Sequence, residues 1–167
     1  MNEESVSYLP VTQHDPATQD SPAVQGICDR KQIRISGPQD IVEARQKGRI
    51  MTQEIGCTPT QSTLVATAIS ELARNIILYA EHGEITLVKI AGDGKVGLQI
   101  IATDKGPGIQ NIARAMINGF STSGGLGLGL PSLKQIADSF TITSKPGQGV
   151  RVDMLMWLGD KSGQVKA

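Results

Sequence analysis

The chain has 167 residues, 39% of them hydrophobic and 3% aromatic, with 16 basic side chains balanced by 16 acidic ones. That length supports one domain with its own core, and the zero net charge and scarce aromatics argue against a nucleic-acid binder that works by charge or base stacking. No apolar run approaches the roughly 18 residues of a membrane span, and the start lacks the basic and apolar regions of a signal peptide, so a cytoplasmic protein with no membrane or nucleic-acid partner is expected. The charge is uneven. Residues 1–30 hold five acids (Glu3, Glu4, Asp15, Asp20, Asp29) and one base (Arg30), and the remainder carries 15 basic against 11 acidic residues. That mild positive surplus suits a phosphate-rich ligand. Cys28 and Cys57 have no metal-ligand spacing and read as buried or idle thiols.

Residues 1–30 are rich in Ser, Pro, Gln, Thr and Asp without periodicity and read as a disordered acidic extension. Lys31–Ile35 alternates as a short strand. Gly37-Pro38 opens a helix, with proline in its first turn. Its apolar stripe is Ile41, Ala44, Gly48, Met51 and Ile55, and Gly56 is a natural stop. Thr58-Pro59-Thr60 starts a second helix running to about Ala80, with Val65, Ile69, Leu72, Ala73 and Ile76 facing the core. Two strands, about Glu84–Ile90 and Val96–Thr103, flank the turn signal Gly92-Asp93-Gly94. A short helix is expected over Ile109–Asn118, a loop over Ser121–Gly129, and a helix over Pro131–Asp138. Strands Phe140–Ser144 and Val150–Leu158 close the domain around Pro146-Gly147-Gln148-Gly149, and a polar tail follows from Gly159. The order β-α-α-β-β-α-α-β-β disfavours a doubly wound parallel sheet. It predicts a two-layer α+β sandwich over residues 31–158, with a mixed, largely antiparallel sheet and helices on one face.

Three places on this plan carry chemistry. Glu71 and Asn75 stand one helical turn apart, sharing a face displaced from the core stripe. A carboxylate in a dry cleft is a competent general base, and an amide oxygen beside it suits Mg²⁺, which keeps several waters and takes few protein ligands. Arg74, next door, is suited to a salt bridge or a partner surface. Asp104 ends a strand, where an ionised carboxylate can accept from an exocyclic amine such as adenine N6. Gly106 and Gly108 would then leave room for a flat ring against backbone. The run Gly124, Gly125, Leu126, Gly127, Leu128, Gly129 precedes a helix, so backbone amides and a helix N-terminus can cradle phosphates. Ser121, Thr122 and Ser123 add donors. This is neither a dinucleotide fingerprint nor a P-loop, because no strand precedes it and no Gly-Lys-Ser/Thr follows. Singly, each place has a plainer reading: a solvated polar pair, an Asp-initiated turn, a loose surface loop. The combination is what points to an ATP-using enzyme.

In that order and spacing, Glu71-Leu-Ala-Arg-Asn75, Asp104-Lys-Gly-Pro-Gly-Ile109 and Gly119-Phe-Ser-Thr-Ser-Gly-Gly-Leu-Gly-Leu-Gly-Leu-Pro131 resemble the GHKL ATPase superfamily of gyrase, Hsp90, histidine kinases and MutL. Within it they are most similar to the small stressosome switch serine/threonine kinases of the RsbT type, a likeness to which Asp40-Ile-Val-Glu-Ala-Arg45 adds. The resemblance covers about residues 31–158 and implies a Bergerat ATP-binding fold. It implies Glu71 as catalytic base, Asn75 as Mg²⁺ ligand, Asp104 as adenine reader, Gly106 and Gly108 shaping the base pocket, and the glycines from 125 to 129 as a lid over the phosphates of ATP. It implies a STAS-domain protein as substrate and a PP2C-type phosphatase, or its regulatory domain, as second partner. Two departures stand out. Anti-sigma kinases of the superfamily place an arginine where this chain has Gly125, which leaves the γ-phosphate's cation unassigned. Many relatives have Gly-x-Gly-Thr in the last hairpin where this chain has Gly147-Gln-Gly-Val150, so a hydroxyl is missing near the adenine. A sensor histidine kinase fragment, an anti-sigma factor, and a binding module gated by ATP without transfer are the competing readings.

Overall fold

Proline and glycine bracket the helices. Pro38 opens the helix Pro38–Ile55, here α1, and Gly56 closes it in a left-handed conformation at φ 78°. Ahead of it the Asp40 carboxylate accepts hydrogen bonds from the Ser36 and Gly37 amides at 2.7 and 2.9 Å, satisfying donors that the first turn leaves bare. Thr58 caps the next helix, α2 (Pro59–Ala80), through a reciprocal exchange with Gln61. Thr52 and Ser62 join the two helices, hydroxyl to hydroxyl at 3.0 Å.

The computed structural model describes residues 5–8, 26–117 and 129–160. Its strands are β1 (Ser5–Tyr8), β2 (Gly26–Ile35), β3 (Gly83–Gly92), β4 (Lys95–Asp104), β5 (Ser139–Ser144) and β6 (Val150–Asp160). The remaining helices are the single turn α3 (Ile112–Ala115) and α4 (Gly129–Ile136). The sheet runs β1-β5-β6-β4-β3-β2, and each described pair of neighbours is antiparallel. Asp93 and Gly94, both at positive φ, make the tight turn between β3 and β4.

The two-layer α+β arrangement follows the expectation, with α1 and α2 packed on one face of the sheet. The core between the layers includes Ala44, Met51, Val65, Ile69, Leu72, Ala73 and Ile76 from these helices. Ile85, Leu87, Leu98, Ile100, Ile142, Val152 and Met154 meet them from the strands. A smaller cluster of Val88, Ile90 and Leu155, with Ile101 and Trp157, lies on the opposite face. Among the described residues, no helix is long and apolar enough to cross a membrane.

Several boundaries differ from those expected of the sequence. The sheet reaches into the N-terminal thirty residues: β2 begins at Gly26, and Ser5–Tyr8 pairs with β5. The remainder of that extension and the tail beyond residue 160 lie outside the described residues. The helix expected from Ile109 starts only at Ile112, because Gly108 sits at φ 74° and the Ile109 amide is tied to Ser144. The helix expected to end at Asp138 stops at Ile136. Asp138 turns to the sheet instead, its amide on the Leu155 carbonyl and its carboxylate accepting from the Trp157 amide at 2.7 Å.

Strand register decides which residues meet at the sheet's ends. Gly83 pairs with Asp104, Thr103 with Arg151 and Val150 with Ser144. Asp104, Ser144 and Val150 therefore gather at one end of the sheet.

Candidate functional site

Asp104 is the last residue of β4, where the ladder stops and the chain turns away. Its Oδ1 accepts from the Gly106 amide at 2.9 Å and from the Val150 amide at 3.2 Å. Both bonds fall on one oxygen, so Oδ2 retains acceptor capacity for a ligand donor. Valine has no hydroxyl to offer; the Val150 bond uses the backbone N–H, which a residue with a hydroxyl would supply equally.

The loop from Asp104 to Ile109 is locked to the turn between β5 and β6. The Gly147 amide donates to the Pro107 carbonyl at 2.7 Å. Ser144 Oγ accepts from the Ile109 amide and donates to the Gly149 carbonyl, each at 2.8 Å. Ser144 is buried, and those two bonds satisfy its hydroxyl. Sequence reasoning did not single it out. The signal was available: β5 alternates, burying Phe140, Ile142 and Ser144, and a polar residue at an inward position needs a partner.

At Gly106 and Gly108 neighbouring atoms leave no space for a Cβ. The space a Cβ would occupy at Gly106 is taken by Ala80 Cβ, 2.6 Å away, and by the Tyr79 carbonyl at 3.0 Å. At Gly108 it is taken by the Lys145 carbonyl and by Ser144 Oγ. These glycines let the loop close on the end of α2 and on the β5–β6 turn.

That closure brings the loop to the helix that carries Glu71 and Asn75. From Glu71 to Ala80 is nine residues of α2, about 13 Å along the axis, a length comparable to an extended nucleoside triphosphate. Glu71 is buried, unlike the solvated pair member of the plainer reading, and Asn75 is half-buried. A buried carboxylate needs a partner, and Arg74 supplies it: Nη1 lies 2.6 Å from Glu71 Oε1. Of the two alternatives open for Arg74, the structure shows the salt bridge.

The residues present fit magnesium. Mg²⁺ keeps waters and substrate phosphates and takes one or two protein oxygens. The Asn75 amide is of the right type for one. Of the glycine run, Gly129 is described; at φ 61° it opens α4, which touches α2 and β5. Ser121, Thr122, Ser123, Gly124, Gly125, Leu126, Gly127 and Leu128 lie outside the described residues. Cys57 is a free, half-buried thiol after α1, and burial pushes its pKa up. That makes it less nucleophilic and agrees with an idle role.

Comparison with known proteins meets this geometry. Residues 60–160 match the family model of histidine kinase-, DNA gyrase B- and HSP90-like ATPases. The serine/threonine-protein kinase RsbT of Bacillus subtilis (strain 168) is 48% identical over 130 residues, covering 78% of this chain and 98% of that protein. An anti-sigma F factor of Clostridium kluyveri (strain ATCC 8527 / DSM 555 / NBRC 12016 / NCIMB 10680 / K1) is 30% identical over 124 residues, covering 72% of this chain and 87% of its own. One from Caldanaerobacter subterraneus subsp. tengcongensis is 30% identical over 101 residues, 57% of this chain and 69% of that relative. With more than half its length matched by the model and all three sequence segments inside or bordering that match, the chain belongs to the histidine kinase-, DNA gyrase B- and HSP90-like ATPase family.

Proposed function

We propose that the chain is an ATP-dependent protein serine/threonine kinase of a bacterial partner-switching stress cascade. Its substrate is a hydroxyl on a STAS-domain protein, and its second partner is a PP2C-type phosphatase or that enzyme's regulatory domain, all in the cytoplasm. The observation that carries the reading is the buried Glu71 carboxylate on the same helix that seats the Asp104 loop. The extensive identity to a protein named as a serine/threonine kinase supports it.

In this reading Asp104 accepts from the exocyclic amine of adenine through Oδ2, while Oδ1 stays on its two amides. The protein hydroxyl of the substrate sits against Glu71. Its oxygen forms a bond to the γ-phosphorus as the bond to the bridging oxygen breaks, and the electron pair leaves on ADP. The proton passes to Glu71 Oε2, the oxygen not bonded to Arg74. Asn75 would offer magnesium one oxygen, and the ion would neutralise charge on the phosphates.

The test is transfer from ATP, with Mg²⁺, to a cognate STAS protein. Glu71→Ala should lower the transfer rate about 10²–10⁴-fold while ATP binding by calorimetry changes little. Equal rates for the two proteins would remove Glu71 from its role, and no transfer by the wild-type chain would remove the kinase reading.

The anti-sigma F relatives favour a second reading, a kinase that also holds a sigma subunit. Gly125, at the position where the superfamily resemblance implies an arginine in anti-sigma kinases, weighs against it. Capture of a sigma subunit by the purified chain, with no phosphatase partner, would favour that branch.

A further inference from the structure

Phosphoryl transfer gathers negative charge on the γ-phosphate oxygens, and enzymes meet it with a cation placed beforehand. The segment Ser121–Gly129 contains no lysine or arginine, so the glycine run cannot supply that cation from its own side chains. Arg74 stands beside the proposed base. The pair it makes with Glu71 is lopsided: the Glu71 side chain is 11% exposed and the Arg74 side chain 42%. An ion pair on an open helix surface would be of little consequence. Here the anion is withdrawn from water and needs its partner, while the cation keeps a flank toward solvent. A guanidinium presents several N–H donors in one planar fork, and Nη1 is the atom committed to Glu71. On α2, Arg74 sits about 60° to one side of Glu71 and Asn75 about 40° to the other. The base is thus flanked by a cation and by the amide suited to magnesium.

Resting on the kinase reading above, we propose that Arg74 is the cation that meets the γ-phosphate, anchored on Glu71 through one N–H and offering its remaining donors to the transferring phosphoryl. The same contact orients the base, leaving Glu71 Oε2 to take the hydroxyl proton. Arg74 then serves as a catalytic residue in its own right, filling the place that a lid arginine holds in the anti-sigma kinases.

The experiment compares wild type, Arg74→Ala and Arg74→Lys with the full chain, magnesium and a STAS substrate. Calorimetry with ATP and with ADP reads contact to the γ-phosphate apart from turnover. In Arg74→Ala the preference for ATP over ADP should fall about tenfold, a charged hydrogen bond's worth. Its kcat should fall about 100-fold with little change in KM for the protein substrate. Arg74→Lys should recover part of both, and added guanidinium ion should restore part of the turnover of Arg74→Ala. A structural role alone would produce neither the selective loss of ATP affinity nor the rescue. If Arg74→Ala melts early, Arg74→Lys and Arg74→Gln carry the same readings, with Lys above Gln. A folded variant with an unchanged ATP-to-ADP ratio and unchanged kcat overturns the proposal. If the wild-type chain itself transfers no phosphate to the STAS substrate, it is the kinase reading that falls.

Discussion

At the Asp104 end of the site, backbone does the holding. Two amides fix the carboxylate, the Pro107 carbonyl takes the Gly147 amide, and Ser144 bridges loop and turn. At the Glu71 end it is a side chain, Arg74, that holds the carboxylate among the described residues. Hydrogen bonds from backbone amides at the sheet's end leave little freedom, whereas an arginine with part of its surface in water can swing and return. The contrast suits a site that recognises a rigid base at one end and accommodates moving charge at the other.

The contrast can be broken from the Asp104 side. Gly149 has φ 86°, and a Cβ there would run into the Asp104 carbonyl. Gly149→Ala should destabilise the fold by about 2–4 kcal/mol, combining a left-handed backbone with overpacking. The loop should loosen with it, so ATP affinity should fall as well; thermal melts and calorimetry on the same sample would check both. An unchanged melting temperature would mean that loop and turn are not interlocked.

A gentler change separates recognition from scaffolding. Asp104→Asn keeps an oxygen for the Gly106 and Val150 amides but loses the anion. Stability should hardly move, while ATP affinity should fall roughly tenfold to a hundredfold, the range for a hydrogen bond to a charged group. Equal affinity for the two proteins would relocate the adenine reader.

The smallest effect lies at the start of α1. Asp40 titrates below the ordinary carboxylate value because the Ser36 amide, the Ser36 hydroxyl and the Gly37 amide all donate to it. A carboxyl whose folded pKa is lowered stabilises fully above its unfolded pKa, and loses that contribution as pH falls through the folded one. Asp40→Asn should therefore lower the melting temperature slightly at pH 7, and the gap to wild type should close as the medium becomes strongly acidic. A gap that persists at low pH would show that the contribution is not the carboxylate's charge.

The sequence displayed most of this architecture because local chemistry wrote it. Pro38, Gly56, Thr58 and Pro59 mark helix ends through φ restriction and capping, and Asp93-Gly94 marks a hairpin by tolerating positive φ. What stayed hidden depends on partners distant in the chain. Ser5–Tyr8 is a strand by virtue of pairing with β5. The beginning of β2 carries Gly26, Asp29 and a register shift between Ile27 and Asp29, which blur the alternation. In the site, residue types and spacing marked Glu71, Asn75 and Asp104. They could not show that Arg74 would choose Glu71, that Val150 would serve through its amide, or that Gly106 would be filled by Ala80. Those facts follow from how α2, β4 and the final hairpin are brought together.

The most direct test of that assembly is a crystal structure of the chain with Mg²⁺ and a non-hydrolysable ATP analogue. The expected result has adenine N6 on Asp104 Oδ2, magnesium on the Asn75 amide oxygen, and the γ-phosphate beside Glu71 and Arg74. A nucleotide bound away from Asp104, or bound there with its γ-phosphate pointing away from Glu71, would contradict it.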